Sequence, residues 1–338
     1  MRDMAVTATA PTRIDLAGGT LDIWPLNLMF DNPVTLNMAI DISVTATVSA
    51  RKDRKIVLES VDQKLKYKFT SYCAIGHGHK LGLLSRVAKH FLKEGEPGVN
   101  VKTVSRAPAG AGLAGSSALN IALCGAFAAY TGVKPSRSRL IDTAKDIEAA
   151  LLRVPTGLQD YAASVYGFAH AFTFPAGGME RERLAGTAKW LARNVLLFYS
   201  GKQRVSGINN WEMIKRVIDK DRSAIAKFKK IARFSNIAHE ALGEHDFARF
   251  QKAVDAEWKV RGSLFPSIST PVIDKAIAQG KKAGAGGAKI CGAGGGGCFF
   301  MLAEPARQET VIKAVEAEGP KALPFAISKK GLQIYHGK

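Results

Sequence analysis

Pro108-Ala109-Gly110-Ala111-Gly112-Leu113-Ala114-Gly115-Ser116-Ser117-Ala118 decides how the rest of the chain is read. Apolar and polar residues alternate before it, from Val99 to Val104, and a run of small apolar residues too long for a strand follows it, from Ala118 to Tyr130. Those two periods give the order strand, glycine loop, helix. Gly110, Gly112 and Gly115 permit a tight turn and a close approach of backbone to ligand, while Ser116 and Ser117 stand where the helix begins. Free amides and the positive end of the helix dipole favour an anion at that place, most often a phosphate, and hydroxyls beside phosphates can reach a magnesium ion.

Three readings compete for the stretch. Gly110, Gly112 and Gly115 spell the dinucleotide pattern GxGxxG, but that pattern wants an acidic residue about 20 positions on. Gly132-Val133-Lys134-Pro135-Ser136-Arg137 stands there, a basic turn. A P-loop requires Gly-Lys-Ser/Thr after the glycines, and none follows. A glycine-rich turn that merely caps a buried helix accounts for the glycines and leaves the paired serines unexplained. Phosphate binding and a structural turn both stay open on this stretch alone.

A chain of 338 residues exceeds what one core comfortably supports, so two domains are expected. Hydrophobic residues at 46% and charged residues at 23% exclude a disordered chain. No apolar segment follows Met1-Arg2-Asp3, and Asn120 breaks the longest apolar run, so neither a signal peptide nor a membrane span is expected and a soluble cytoplasmic protein is the default. Cys73, Cys124, Cys291 and Cys298 show neither CxxC pairing nor metal-ligand spacing, which points to reduced, buried thiols. The net charge of +19 would suit nucleic acid, yet the basic residues are spread along helices without interleaved aromatics. In Lys215 to Arg233 they alternate with an apolar face of Ile218, Ile225, Phe228 and Ile231, so a solvated helix face is expected and no nucleic-acid partner.

In chain order, Ala5 to Ala10 alternates as a strand, followed by Arg13-Ile14-Asp15-Leu16-Ala17-Gly18-Gly19-Thr20-Leu21-Asp22. Asp22 lies on a glycine-shaped loop, where a carboxylate either caps the loop or accepts hydrogen bonds from vicinal hydroxyls such as a sugar offers. Val34 to Phe69 carries the β-branched alternation of antiparallel strands, and Leu81 to Leu92 reads as an amphipathic helix. His77-Gly78-His79 has no third ligand nearby and reads as loop. Leu140 to Leu152 is helical and carries Glu148; it stops at Pro155-Thr156-Gly157, with Asp160 just beyond. Phosphoryl transfer needs a magnesium carboxylate beside the nucleotide phosphates and a group that acts on the acceptor hydroxyl, and these two acids could supply them. Taken singly, each acid is better read as a surface acid on a helix face or cap. Phe168 to Phe174 and Asn194 to Tyr199 read as strands, Ser200 to Gly207 as a basic loop, and Asn210 to Trp258 and Thr270 to Ala283 as helices. Gly292 to Gly297 holds five glycines between apolar strands, a density that makes sense where something lies against the backbone.

Taken together these pieces resemble the GHMP kinases, the family of galactokinase, homoserine kinase, mevalonate kinase and phosphomevalonate kinase. Three motifs carry the likeness: Arg13 to Asp22, Pro108 to Ala118, and Lys289 to Cys298. The resemblance implies an α+β, two-domain fold, with a ribosomal-S5-like domain over residues 1–190, a ferredoxin-like domain over 191–338, and the site between them. It implies that Pro108, Gly110, Ala111, Gly112, Leu113, Ala114, Gly115, Ser116 and Ser117 contact ATP, that Ser117 and Glu148 bind Mg2+, and that Asp160, with Arg13 beside it, acts on the acceptor hydroxyl. The arrangement Gly18-Gly19-Thr20-Leu21-Asp22 is similar to the sugar-kinase branch, and its LAGG to heptose-phosphate kinases. Gly19, Thr20, Asp22, Gly157, Arg204, Gly294 and Gly295 are then expected to contact a sugar or sugar phosphate, with Lys202 and Arg204 suited to a phosphate. A mevalonate-type kinase and a sugar and ATP sensor without turnover are the alternatives. A small-molecule partner and a monomer or homodimer are expected.

Overall fold

The computed structural model describes residues 5–203 and 208–337. The first strand, β1 (Val6–Ala17), runs straight through Pro11, further than the alternation of Ala5 to Ala10 predicts. Proline cannot donate to a ladder, and the register with its neighbour shifts between Pro11 and Thr12, where the missing donor is accommodated. A short helix, α1 (Leu26–Met29), then precedes β2 (Thr35–Ala50), β3 (Ile56–Ser60) and β4 (Leu65–Phe69), the strands expected from β-branched alternation. Next come α2 (Gly82–Phe91), β5 (Val99–Ser105), α3 (Gly115–Thr131), α4 (Arg137–Leu152), α5 (Gln159–Tyr166), β6 (Ala169–Thr173) and β7 (Glu180–Arg183).

Strands β1 to β7 build one sheet in the order β1-β2-β5-β3-β4, with β6 and β7 added along the far half of β2. Only β3 and β5 run parallel. Helices α2 to α5 cover one face, and α3 lies at the centre of that layer with most of its side chains buried all round, as its unbroken apolar sequence requires.

The rest of the chain holds α6 (Ala188–Asn194), β8 (Val195–Tyr199), α7 (Ile208–Ile218), α8 (Arg222–Gly243), α9 (Phe247–Gly262) and α10 (Pro271–Lys282), then β9 (Gly287–Ile290), β10 (Cys298–Leu302), α11 (Pro305–Glu316), β11 (Lys321–Ala322) and β12 (Gln333–His336). A second, antiparallel sheet forms in the order β11-β8-β10-β9. Asn210 to Trp258, expected as helices, holds α7, α8 and α9 with breaks after Ile218 and Gly243, and Ile218, expected on an apolar face, is 51% exposed at the first of them. Seven of these elements had no counterpart among the expectations: α1, α5, β7, α6, α11, β11 and β12, the last of which returns to the first sheet and pairs with β1.

An apolar cluster joins the two sheets, with Ile14, Leu16 and Met38 of the first meeting Leu197, Phe300 and Leu302 of the second. Cys124, Cys291 and Cys298 are buried as expected, but Cys73 is exposed, and its thiol donates to Glu94 at 3.0 Å. No helix among the described residues is long and apolar enough to cross a membrane.

Candidate active site

The loop from Arg106 to Ala114 is shaped by what holds its carbonyls. The Cys298 N–H donates to Ala111 O at 2.7 Å, the Arg13 guanidinium to Gly112 O at 3.1 Å, and the Arg13 N–H to Leu113 O at 3.0 Å. In a trans peptide the N–H points opposite the carbonyl, so tying these three carbonyls back turns the amides of Gly112, Leu113 and Ala114 outward. Ala114, in the left-handed conformation at φ 60°, starts α3, and no side chain caps that end. The first intrahelical bond runs from Ala118 N–H to Ala114 O, which leaves the amides of Gly115, Ser116 and Ser117 at the positive end of the helix without intrahelical partners. The serines therefore sit inside the first turn and not at its cap.

An open cavity of about 260 Å³ faces this surface, lined by Pro108, Gly110, Ala111, Gly112, Ala114, Gly115 and Ser116, by Ser60, Asp62 and Gln63 on the opposite wall, and by Asp160. Leu113 and Ser117, expected with them, face inward and do not line it. The Ser117 hydroxyl instead donates to Glu148 Oε2 at 3.4 Å, and the Tyr161 hydroxyl donates to the same oxygen at 2.6 Å. Burial pushes the Glu148 carboxyl up, the bonds from Tyr161, Ser116 and Ser117 hold it down, and the nearby Asp160 adds to the upward push. A carboxyl buried in this way against a helix N-terminus is short of a cation. Hard oxygen donors with room for phosphates suit Mg2+, which uses one or two carboxylates and completes its shell with water and substrate. Among the described residues no cluster of three or more acids, histidines or cysteines offers a self-sufficient metal site.

Asp160 opens α5 and is reached by Arg13, whose Nε and Nη2 donate to Oδ1 at 2.8 and 2.6 Å. Arg13 is 2% exposed; burial opposes its charge, but Asp160 and Asp15 outweigh that and raise its pKa. On its other side Asp160 lines a second, smaller cavity of about 60 Å³, together with Arg13, Asp15, Thr20, Asp22, Gly157, Gln159, Asn210, Arg261 and Gly292. Among the described residues that line it, Ile23 and Ala293 alone bring apolar side chains. Asp22 accepts from the Gln159 N–H at 3.0 Å, which fastens the first motif to the start of α5. Gly157 lies so close that a Cβ there would come within 1.9 Å of Asp22 Oδ2. Burial, then the charge of Asp160, push the Asp22 carboxyl up to about 7, against the Gln159 hydrogen bond.

Gly19 is buried behind this cavity, its carbonyl held by Arg261. Gly294 and Gly295, expected at the acceptor, pack instead on the backbone of Ser267 and Ile268, and Gly292 and Ala293 take the lining positions. Arg204 lies outside the described residues. Several residues at the site were not among the expectations: Tyr161, Gln159, Asp15, Lys289, Glu257 and Arg261. Lys289 pairs with Asp15 at 2.8 Å, both fully buried. Burial would raise the Asp15 carboxyl, but Lys289, Arg13 and Arg261 overcome it and hold it below the usual range. One signal was present, since a lysine among Ala288, Ile290 and Cys291 is a charge inside a buried strand.

Fold and site define a class first: a two-unit phosphotransferase with a helix-capped glycine loop between its sheets. Two family models match, GHMP kinases N terminal domain over residues 82–168 and GHMP kinases C terminal over residues 238–321. D-glycero-alpha-D-manno-heptose 7-phosphate kinase of Campylobacter jejuni is 26% identical, with 98% of each chain covered. The mevalonate kinase of Thermococcus sibiricus is 25% identical at the same coverage. The crystal structure of Lactococcus lactis galactokinase complexed with galactose superposes with a TM-score of 0.76 at 18% identity, covering 97% of this chain and 95% of that one. The chain belongs to the GHMP kinase family. It is an ATP-dependent kinase of α+β fold.

Proposed function

We propose that this kinase transfers the γ-phosphate of ATP to a hydroxyl of a sugar or sugar phosphate, at the anomeric position, and that the glycine loop holds the nucleotide phosphates. The observation that carries this reading is that Asp160 lines both cavities, one walled by outward amides and the other by carboxyls and guanidinium groups. A hydroxyl bound in the smaller cavity meets Asp160 on the way to a phosphate bound in the larger. Its oxygen forms the new bond to phosphorus as the bond to the departing ADP oxygen breaks, and its proton passes to the Asp160 carboxylate. Arg13 fixes that carboxylate through two bonds to one oxygen and leaves the other for the hydroxyl. Ser117 and Glu148 would hold Mg2+, which neutralises phosphate charge when bound.

The composition of the smaller cavity favours a polyol over mevalonate. Asp15, Asp22 and Asp160 offer acceptors for several hydroxyls, whereas a methyl-bearing carboxylate would meet three acids and little apolar surface. The heptose 7-phosphate relative supports that preference, and the exposed Lys202 would suit a second phosphate on the acceptor. ADP release is to be followed with galactose, fucose, mannose, D-glycero-D-manno-heptose 7-phosphate and mevalonate as acceptors. Turnover of a sugar, with the heptose phosphate foremost, is expected; turnover of mevalonate alone would overturn the sugar reading, and sugar binding without ADP release would favour the sensor.

A further inference from the structure

Glu257 and Arg261 stand four residues apart on α9, on one face of the helix, and both are fully buried, at 0% and 1% exposure. Neither belongs to the three motifs. Glu257 Oε1 accepts from the Gly18 N–H at 3.3 Å, while Arg261 Nη1 donates to the Gly19 carbonyl and Nη2 to Gly292 O at 3.2 Å. One helix of the second unit thus grips the peptide groups on both sides of the Gly18-Gly19 pair and ties them to the glycine-rich third motif. The next residue, Thr20, has φ 83°, in the left-handed region that a β-branched side chain adopts only when its surroundings impose it. Thr20 and Asp22 both line the smaller cavity. Burying two charges costs several kcal/mol unless they are paired and hydrogen-bonded, and the Arg261 Nε still finds no partner. A purely apolar contact would hold α9 to β1 as well, so the charges call for another purpose.

We propose that Glu257 and Arg261 are positioning residues for the acceptor: their grip on Gly18 and Gly19 keeps Thr20 in its strained conformation and Asp22 in register with Asp160. The inference rests on the smaller cavity being the acceptor site, whichever acceptor occupies it. The carbonyls of the nucleotide loop are held by Cys298 and Arg13 and not by α9 itself, so loosening α9's grip acts first on the acceptor side.

Steady-state kinetics of Arg261→Lys and Glu257→Gln test this, with D-glycero-D-manno-heptose 7-phosphate as the probe. Lysine keeps the charge and loses the two-pronged reach. A fall of at least tenfold in kcat/KM for the acceptor is expected, with KM for ATP within twofold of wild type. Thr20→Gly, whose backbone takes φ 83° without strain, should make the acceptor KM less sensitive to Arg261→Lys when the two are combined. Equal losses for ATP and acceptor, or lowered thermal stability with both KM values unchanged, would overturn the proposal. Should mevalonate prove to be the compound turned over, the same split is expected with it, so failure of the sugar reading and failure of the grip give different results.

Discussion

The Asp22 carboxyl is pushed towards working pH. Burial and then the charge of Asp160 push it up to about 7. As a carboxylate it accepts hydroxyls with both oxygens, and as an acid it does so less well. The acceptor KM is therefore expected to fall severalfold as pH rises from about 6 to 8, and Asp22→Asn should raise that KM and flatten this part of the profile. A wild-type acceptor KM that stays level across the window would contradict the role. The stability consequence has a definite sign. The folded-state pKa lies above the ordinary value of 3.8, so whatever Asp22 contributes to folding is present below that value and lost as pH rises to about 7. Urea titrations of Asp22→Asn and wild type should then diverge over that window, in favour of the variant. Asp22 could be singled out from sequence because glycines shape its loop. Gln159, which fixes it, could not, since the bond spans 137 positions and nothing local marks it.

At the scale of single elements, the junction of the glycine loop with the β9–β10 hairpin carries the clearest steric demand. Gly112 has φ 75°, and a Cβ there would stand 2.5 Å from Cys291 O. Gly112→Ala is expected to lose at least about 1–2 kcal/mol from the left-handed backbone alone. Relief of the clash pushes the loop off the hairpin, so KM for ATP should rise more than KM for the acceptor. Urea denaturation together with both KM values checks this; unchanged nucleotide KM would speak against the loop geometry. Strand, loop and helix were legible here because a local change of period announces them. β7 was not, since Glu180-Arg181-Glu182-Arg183 has no apolar residue and is held by pairing with β6 and by side-chain contacts such as His239 to Glu182 at 2.8 Å. β12 is likewise short and mostly exposed, an edge strand whose place is set by β1 over three hundred positions away.

Across the whole molecule, the charges that matter are few and buried, whereas most of the +19 lies on helix surfaces. Lys289 of the second sheet reaches Asp15 of the first. Removing one partner of such a pair leaves an uncompensated charge, so Lys289→Met should cost about 3–5 kcal/mol in urea denaturation. A loss below about 1 kcal/mol would mean that Arg13 and Arg261 already neutralise Asp15. We propose that the chain divides near residue 190, as expected from its polar spacer, with β12 assigned to the first unit. The division was suggested by length and composition; the return of β12 and the buried charges between the sheets depend on tertiary contact and leave no local trace.

The most direct measurement is single-turnover transfer of the γ-phosphate from ATP to the acceptor, compared between wild type and Asp160→Asn at saturating concentrations of both substrates. A rate lower by about 10²–10⁴-fold with nucleotide binding unchanged is expected of a group that takes the acceptor's proton between two cavities. Transfer by Asp160→Asn at the wild-type rate would contradict it.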